Sequence, residues 1–180
     1  CNLTDVSERV TDLAFSHDGY KMFVSFGGLN GGADDDIVYG YELSSPYDIS
    51  TCSYSDNKTT DLDGKLNGSL AGDDIAPASR VRLQGLDFNN NGTKMFLLFL
   101  GDANDINGDA RKERLLEFNL STPYDLTDIT LVENAGINLT GSSFLNPMGM
   151  SFSKNGKRVF IVDHNKMAIG QISLNVAFST

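Results

Sequence analysis

Three copies of one motif dominate this chain. The pattern apolar-x-Phe-x-x-x-Gly-x-Lys/Arg-apolar-Phe runs through Ala14 to Phe23 (AFSHDGYKMF), Leu86 to Phe96 (LDFNNNGTKMF) and Met150 to Phe160 (MSFSKNGKRVF). A second motif follows each copy: Tyr41 to Asp48 (YELSSPYD), Phe118 to Asp125 (FNLSTPYD), and a worn version at Ile172 to Phe178 (ISLNVAF). Self-similarity on this scale marks a solenoid, propeller or array, in which each unit leaves an apolar face for its neighbour.

The end of the chain also reads back into its beginning. From Phe152 through Thr180 and on to Phe15 of a following copy is about 43 residues, the length of an undecorated propeller blade. Ser179-Thr180 followed by Cys1-Asn2-Leu3-Thr4-Asp5 resembles the internal junction Ser50-Thr51-Cys52-Ser53-Tyr54-Ser55-Asp56. The 180 residues therefore read as one period of a longer tandem array, or as a unit that completes itself with a neighbour.

Within each repeat, period-two alternation and turn residues predict four short strands. In the first repeat these are Val10 to Ser16, Lys21 to Phe26, Ile37 to Leu43, and a short strand after the Pro46 corner, where a residue unable to donate to a ladder belongs. The third strand recurs as Arg114 to Leu120 and Met167 to Leu174. Asp18-Gly19, Asn91-Gly92 and Asn155-Gly156 are expected to close tight hairpins through primed turns, with positive φ at both central residues. Tyr47, Tyr124 and Phe178 are expected to pack over the outer edge of each unit. No segment sustains the helical period over a dozen residues. The expected fold is all-β: three four-stranded antiparallel propeller-like blades in a single domain, 1–180. Blade 1 spans about 8–55, a polar insertion follows at 56–79, blade 2 spans about 80–133, and blade 3 about 144–180, completed by a neighbouring copy.

Lys plus Arg number 14 against 24 Asp plus Glu, a net charge of −10 that repels nucleic acid and anionic membrane surfaces. No run of eighteen apolar residues is present to span a membrane. The chain opens on Cys rather than Met, which implies processing or excision from something larger. If the seam is real, Cys1 and Cys52 occupy equivalent places in successive blades, and a bridge between them implies an oxidising compartment. The competing reading of Cys1 is a lipid-modified N-terminus. Six Asn-x-Ser/Thr sequons, at Asn2, Asn57, Asn67, Asn91, Asn119 and Asn138, suit a secreted glycoprotein.

The acidic residues gather in loops. Asp102, Asn104, Asp105, Asn107 and Asp109, around Gly108, form the best candidate for calcium, which takes six to eight oxygens at flexible distances. The closing bidentate Glu of an EF-hand is missing. Asp34 to Asp36, and Asp61 with Asp63, are weaker versions, and a solvated acidic turn is the competing reading. Catalysis finds little support. His17 and His164 sit in turns, no Gly-x-Ser-x-Gly elbow, phosphate loop or zinc spacing occurs, and a paired-carboxylate glycosidase has only undifferentiated loop acids to draw on.

GLDFNNNGTKMF (Gly85 to Phe96) and FNLSTPYDLT (Phe118 to Thr127) resemble, almost word for word, a family of tandem repeats common in secreted proteins of aquatic bacteria and their phages, with a core like GLAFSNDGTKMFVV…VYEYTLSTPFDVSTA. The other two copies match more loosely, and the long acidic insertions and the sequons depart from the pattern. The resemblance implies β-propeller-like blades in large extracellular or surface proteins; it does not imply a catalytic activity. The expected role is a structural subunit of an extracellular fibre or surface array whose partners are copies of itself. The alternative is a soluble calcium- or glycan-binding module, six blades from two units.

Overall fold

In a computed structural model the chain is described at residues 1, 3, 9–27, 36–59, 62, 81–101, 113–132, 136–139 and 144–174. These form an all-β structure of three antiparallel sheets, each built from consecutive segments of chain. The first sheet has the order β1 (Arg9–Phe15), β2 (Lys21–Gly27), β3 (Ile37–Leu43), β4 (Cys52–Lys58). The second is β5 (Val81–Phe88), β6 (Lys94–Gly101), β7 (Arg114–Leu120), β8 (Ile129–Leu131), with the two-residue β9 (Ile137–Asn138) pairing farther along β7. The third is β10 (Pro147–Phe152), β11 (Arg158–Asp163), β12 (Ala168–Ser173). The expected uniform four strands are thus four, five and three among the described residues. The outer strand of the second sheet is split, and the segment after Leu174 lies outside them.

The repeated hairpin turns differ from the expected primed turns. In each, the glycine amide donates to the carbonyl three residues back: Gly19 to Ser16 at 2.9 Å, Gly92 to Asn89 at 3.0 Å, Gly156 to Ser153 at 2.7 Å. Only the glycine takes positive φ, at 76°, 71° and 63°; the preceding Asp18, Asn91 and Asn155 do not. These are four-residue connections built on an ordinary turn followed by one left-handed residue. The Asp or Asn has a different use: its side-chain oxygen accepts the amide two residues on, from Tyr20, Thr93 and Lys157.

The sheets stack in series. One core lies between the first and second sheets, joining Ala14, Phe23 and Val38 to Leu86, Phe88, Met95 and Leu97. A second lies between the second and third, joining Phe96, Leu98 and Leu115 to Val159 and Ile161, with Met150 and Phe152 packed against it. Period-two alternation makes this possible. On β6, Phe96 and Leu98 face one neighbour while Met95, Leu97 and Phe99 face the other, so a sheet enclosed on both sides reads as the continuous apolar run KMFLLFL. The other face of the first sheet carries Met22, Val24, Phe26, Tyr41 and Leu43, with Leu3 packed against them.

Candidate interaction surface at the inter-sheet seams

The first strands of the three sheets, β1, β5 and β10, lie against one another. Each is an edge strand, with outward amides that need acceptors. Two carboxylates supply them. Asp12 accepts from its neighbour Leu13 at 2.9 Å and, across the seam, from Leu86 of β5 at 3.1 Å. Asp87 accepts from Phe88 at 2.8 Å and from Phe152 of β10 at 2.9 Å. Burial pushes the Asp12 carboxyl above the usual range, partly offset by the Leu86 and Leu13 amides, while the Asp87 charge adds a further upward push. Burial likewise raises Asp87 against the opposing Phe152 and Phe88 amides. A buried acid with a raised pKa is the ordinary mark of a general acid. Here every carboxylate oxygen already holds a backbone amide, so the pair reads as inter-sheet pins.

The aromatic of the Ser-x-Pro-Tyr corner is a second device. Tyr47 and Tyr124 hold left-handed backbones, φ 59° and 58°, and donate their amides to the turn glycines Gly19 and Gly92 at 2.9 Å. Their rings lie on those glycines rather than on an outer edge, so a Cβ at Gly92 would stand 2.3 Å from the Tyr124 ring. Tyr124 also bridges two sheets. It packs against Phe23 of the first and Phe88 of the second, its hydroxyl donates to the Asn90 carbonyl at 3.1 Å, and it accepts the His17 amide at 3.0 Å. Burial raises its pKa, opposed by the His17 amide. Phe178 lies outside the described residues.

Asn57, on the outermost strand of the first sheet, clamps the same corner. Its Nδ2 donates to the Tyr124 carbonyl at 3.1 Å and its Oδ1 accepts the Leu126 amide at 2.7 Å. This sequon asparagine therefore has both amide atoms in an inter-sheet contact. Asn91 and Asn119 stand exposed, and Asn138 accepts from the Arg114 guanidinium. Asn2 and Asn67 lie outside the described residues, as do all five loop residues expected to bind calcium, Asp102, Asn104, Asp105, Asn107 and Asp109. Asp36, from the weaker acidic cluster, is buried and accepts the Leu83 amide at 2.9 Å, another contact from the first sheet to the second. Among the described residues no group of three or more His, Cys, Asp or Glu is placed to hold a metal ion.

Cys1 and Cys52 are joined as a disulfide, with Cα atoms 5.4 Å apart across a sequence separation of 51. The bridge ties the first residue to the outermost strand of the first sheet. His17 takes part through its backbone, and the His164 ring meets Asn165 at 3.2 Å on the surface, so neither imidazole faces a nucleophile in the described contacts. A cavity of about 190 Å³ opens between the second and third sheets. It is lined by Asp87, Phe88, Asn90, Phe96, Phe152 and Lys154 among others. Its walls correspond, repeat by repeat, to the groups that surround Tyr124 one seam earlier. These include Phe96 for Phe23, Phe152 for Phe88 and Asn90 for His17. What the arrangement does chemically is hold one sheet to the next.

No family model and no curated protein matches the chain. Among solved structures it is similar to Kuenenia stuttgartiensis hydrazine synthase, with 14% identity and a TM-score of 0.49 over 93% of this chain and 46% of that one. It is also similar to a protein of Bacteroides uniformis described as a 6-phosphogluconolactonase, with 15% identity and a TM-score of 0.44 over 92% and 38% of the two chains. The chain thus spans less than half the length of either, and at these scores neither speaks to its activity.

Proposed function

We propose that this chain is a structural module, a subunit of an extracellular fibre or surface array that grows by adding one propeller-like sheet to the next, and that it is not an enzyme. The observation that supports this is the employment of its distinctive polar groups. Asp12, Asp87, Asp36, Asn57 and the Tyr124 hydroxyl, which in an enzyme would be sought around a substrate, each accept or donate a bond from one sheet to its neighbour. A bridge such as Cys1–Cys52 persists in oxidising surroundings, which agrees with a location outside the cell or at its surface.

The test is direct imaging with sedimentation. Purified chain, brought from micromolar towards millimolar concentration, is expected to pass from single units to filaments or discrete rings in negative stain, with a matching rise in weight-average mass. A chain that stays monomeric across that range overturns the reading.

A further inference from the structure

We infer that the outer face of the third sheet docks on the first sheet of a second copy of this chain, with Phe160 of one copy seated against Phe15 and Tyr47 of the next. This deepens the array reading and rests on it. Ser25 stands opposite Val38, Leu98 opposite Leu115, and Val162 opposite Ile169, so Phe23-Ser25-Val38, Phe96-Leu98-Leu115 and Phe160-Val162-Ile169 occupy one position on three successive sheets. In the first sheet this trio is fully buried against the second, and in the second it is at most 2% exposed against the third. In the third sheet Val162 is 49% and Ile169 72% exposed, although the side chains remain large and apolar.

The opposite end of the stack shows the complement. Leu86 and Phe88 receive the first sheet's trio and are buried; their counterparts in the first sheet are Leu13, 54% exposed, and Phe15, half-buried. Tyr47, the counterpart of Tyr124, is 57% exposed. On this face Met22, Val24, Phe26, Tyr41 and Leu43 are already buried, at most 4% exposed, with Leu3 and Phe15 packed against them, so the exposed part available to a neighbour is the strip of Leu13 and Tyr47 along β1 and the corner, with half-buried Phe15 beside it. Two interfaces already described therefore predict the third. Phe23 meets Phe88 at 4.5 Å between ring centroids and Phe96 meets Phe152 at 4.6 Å, so Phe160 should meet Phe15 in the same way. Tyr124 donates to the Asn90 carbonyl and accepts the His17 amide. Tyr47 donates to the His17 carbonyl at 2.8 Å, and its oxygen has room to accept the Lys154 amide of the neighbouring copy. Because the two surfaces differ, the contact is head-to-tail: it closes a ring if the rotation permits and otherwise continues as a filament.

The experiment places p-benzoylphenylalanine at position 160 of the full chain, mixes isotopically light and heavy protein, irradiates, and maps the products by mass spectrometry. Light-to-heavy links from position 160 to the segment 9–26 or 41–47 are expected. Alongside it, a Val162→Thr/Ile169→Thr double variant, changed only at exposed positions, should melt like the parent and associate at least tenfold more weakly by sedimentation. Links that join other faces, or an association unchanged in the double variant, overturn this register and leave the array reading standing. A chain that yields no intermolecular links and sediments as a monomer overturns both.

Discussion

Gly92 illustrates how tightly single residues are constrained at the turns. It needs positive φ, and the Tyr124 ring occupies the space where a Cβ would project. Gly92→Ala should lower stability by about 2–4 kcal/mol in urea unfolding, from left-handed strain and overpacking together. Gly149→Ala, on β10, where an added Cβ meets nothing within 4 Å, should stay within about 0.5 kcal/mol of the parent. The carboxylates permit a second test at this scale. Asp87 has a raised pKa, so the folded state binds its proton more tightly than the unfolded chain does. Its contribution to stability falls as pH rises from the ordinary carboxylate range, about 4, through its folded value. Asp163 is pushed up by burial, but the amides of Asn146, Leu145, Lys166 and Asn165 outweigh that and leave it lowered. Its contribution is present above the ordinary range and is lost as pH falls through the folded value. The stability difference between parent and Asp87→Asn should therefore shrink from pH 4 to pH 7, while that between parent and Asp163→Asn should grow. Parallel slopes in the two denaturation series would contradict the assignment.

Between elements, the seam is held by a few directed bonds laid over a broad apolar contact. Tyr124 supplies both, since its ring fills the gap between Phe23 and Phe88 and its hydroxyl joins two turns. Tyr124→Phe should cost about 1 kcal/mol, the usual net value of a partly buried hydrogen-bonding group, and leave the fold intact by circular dichroism. Tyr47→Phe, whose hydroxyl serves only an exposed turn carbonyl within one copy, should change monomer stability by less than half of that. Equal effects would mean that the two corners do the same work, against the different exposures of the two rings. The Asp of the corner motif has a local explanation. Asp48 and Asp125 are lowered by bonds from Ser50 and Thr127, and each accepts the amide two residues on, which fixes the turn into the next strand.

For the whole molecule, the Cys1–Cys52 bridge and the net charge pull in different directions. Closing a loop of 51 residues removes unfolded-chain entropy equivalent to about 4 kcal/mol at most, so reduction should shift the urea midpoint down without changing the strand content of the folded state. An unchanged midpoint after verified reduction would show that the bridge itself adds nothing to stability. A charge of −10 opposes the approach of identical chains, and that repulsion is screened within about 10 Å at 0.1 M salt. If the apolar face of the third sheet drives association, raising the salt from 20 to 500 mM should tighten it, and a decrease would point to ion pairs instead.

The repeated Phe-x-x-x-Gly-x-Lys/Arg and Ser-x-Pro-Tyr motifs were enough to determine three antiparallel units, most of the inner strand boundaries and the glycine turns. Alternation and turn chemistry are local, and they recur wherever the residues recur. The turn type was not legible: an Asp-Gly or Asn-Gly pair suits both a two-residue primed turn and a four-residue connection, and the side-chain bonds of Ser16, Asn89 and Ser153 to the next strand select the longer one. The inter-sheet pins were hidden as well. Asp12 and Asp87 do not align with one another in the repeat, and a lone acid in a strand looks like a solvated edge until an adjacent strand places an amide against it. Asn57 read as a glycan acceptor for the same reason. Which face of a sheet is covered, and by what, depends on the order in which the sheets stack. Only the tertiary structure decided that the third sheet carries a buried sheet's side chains on an open face, because solvent exposure belongs to the assembly of elements and to no residue alone.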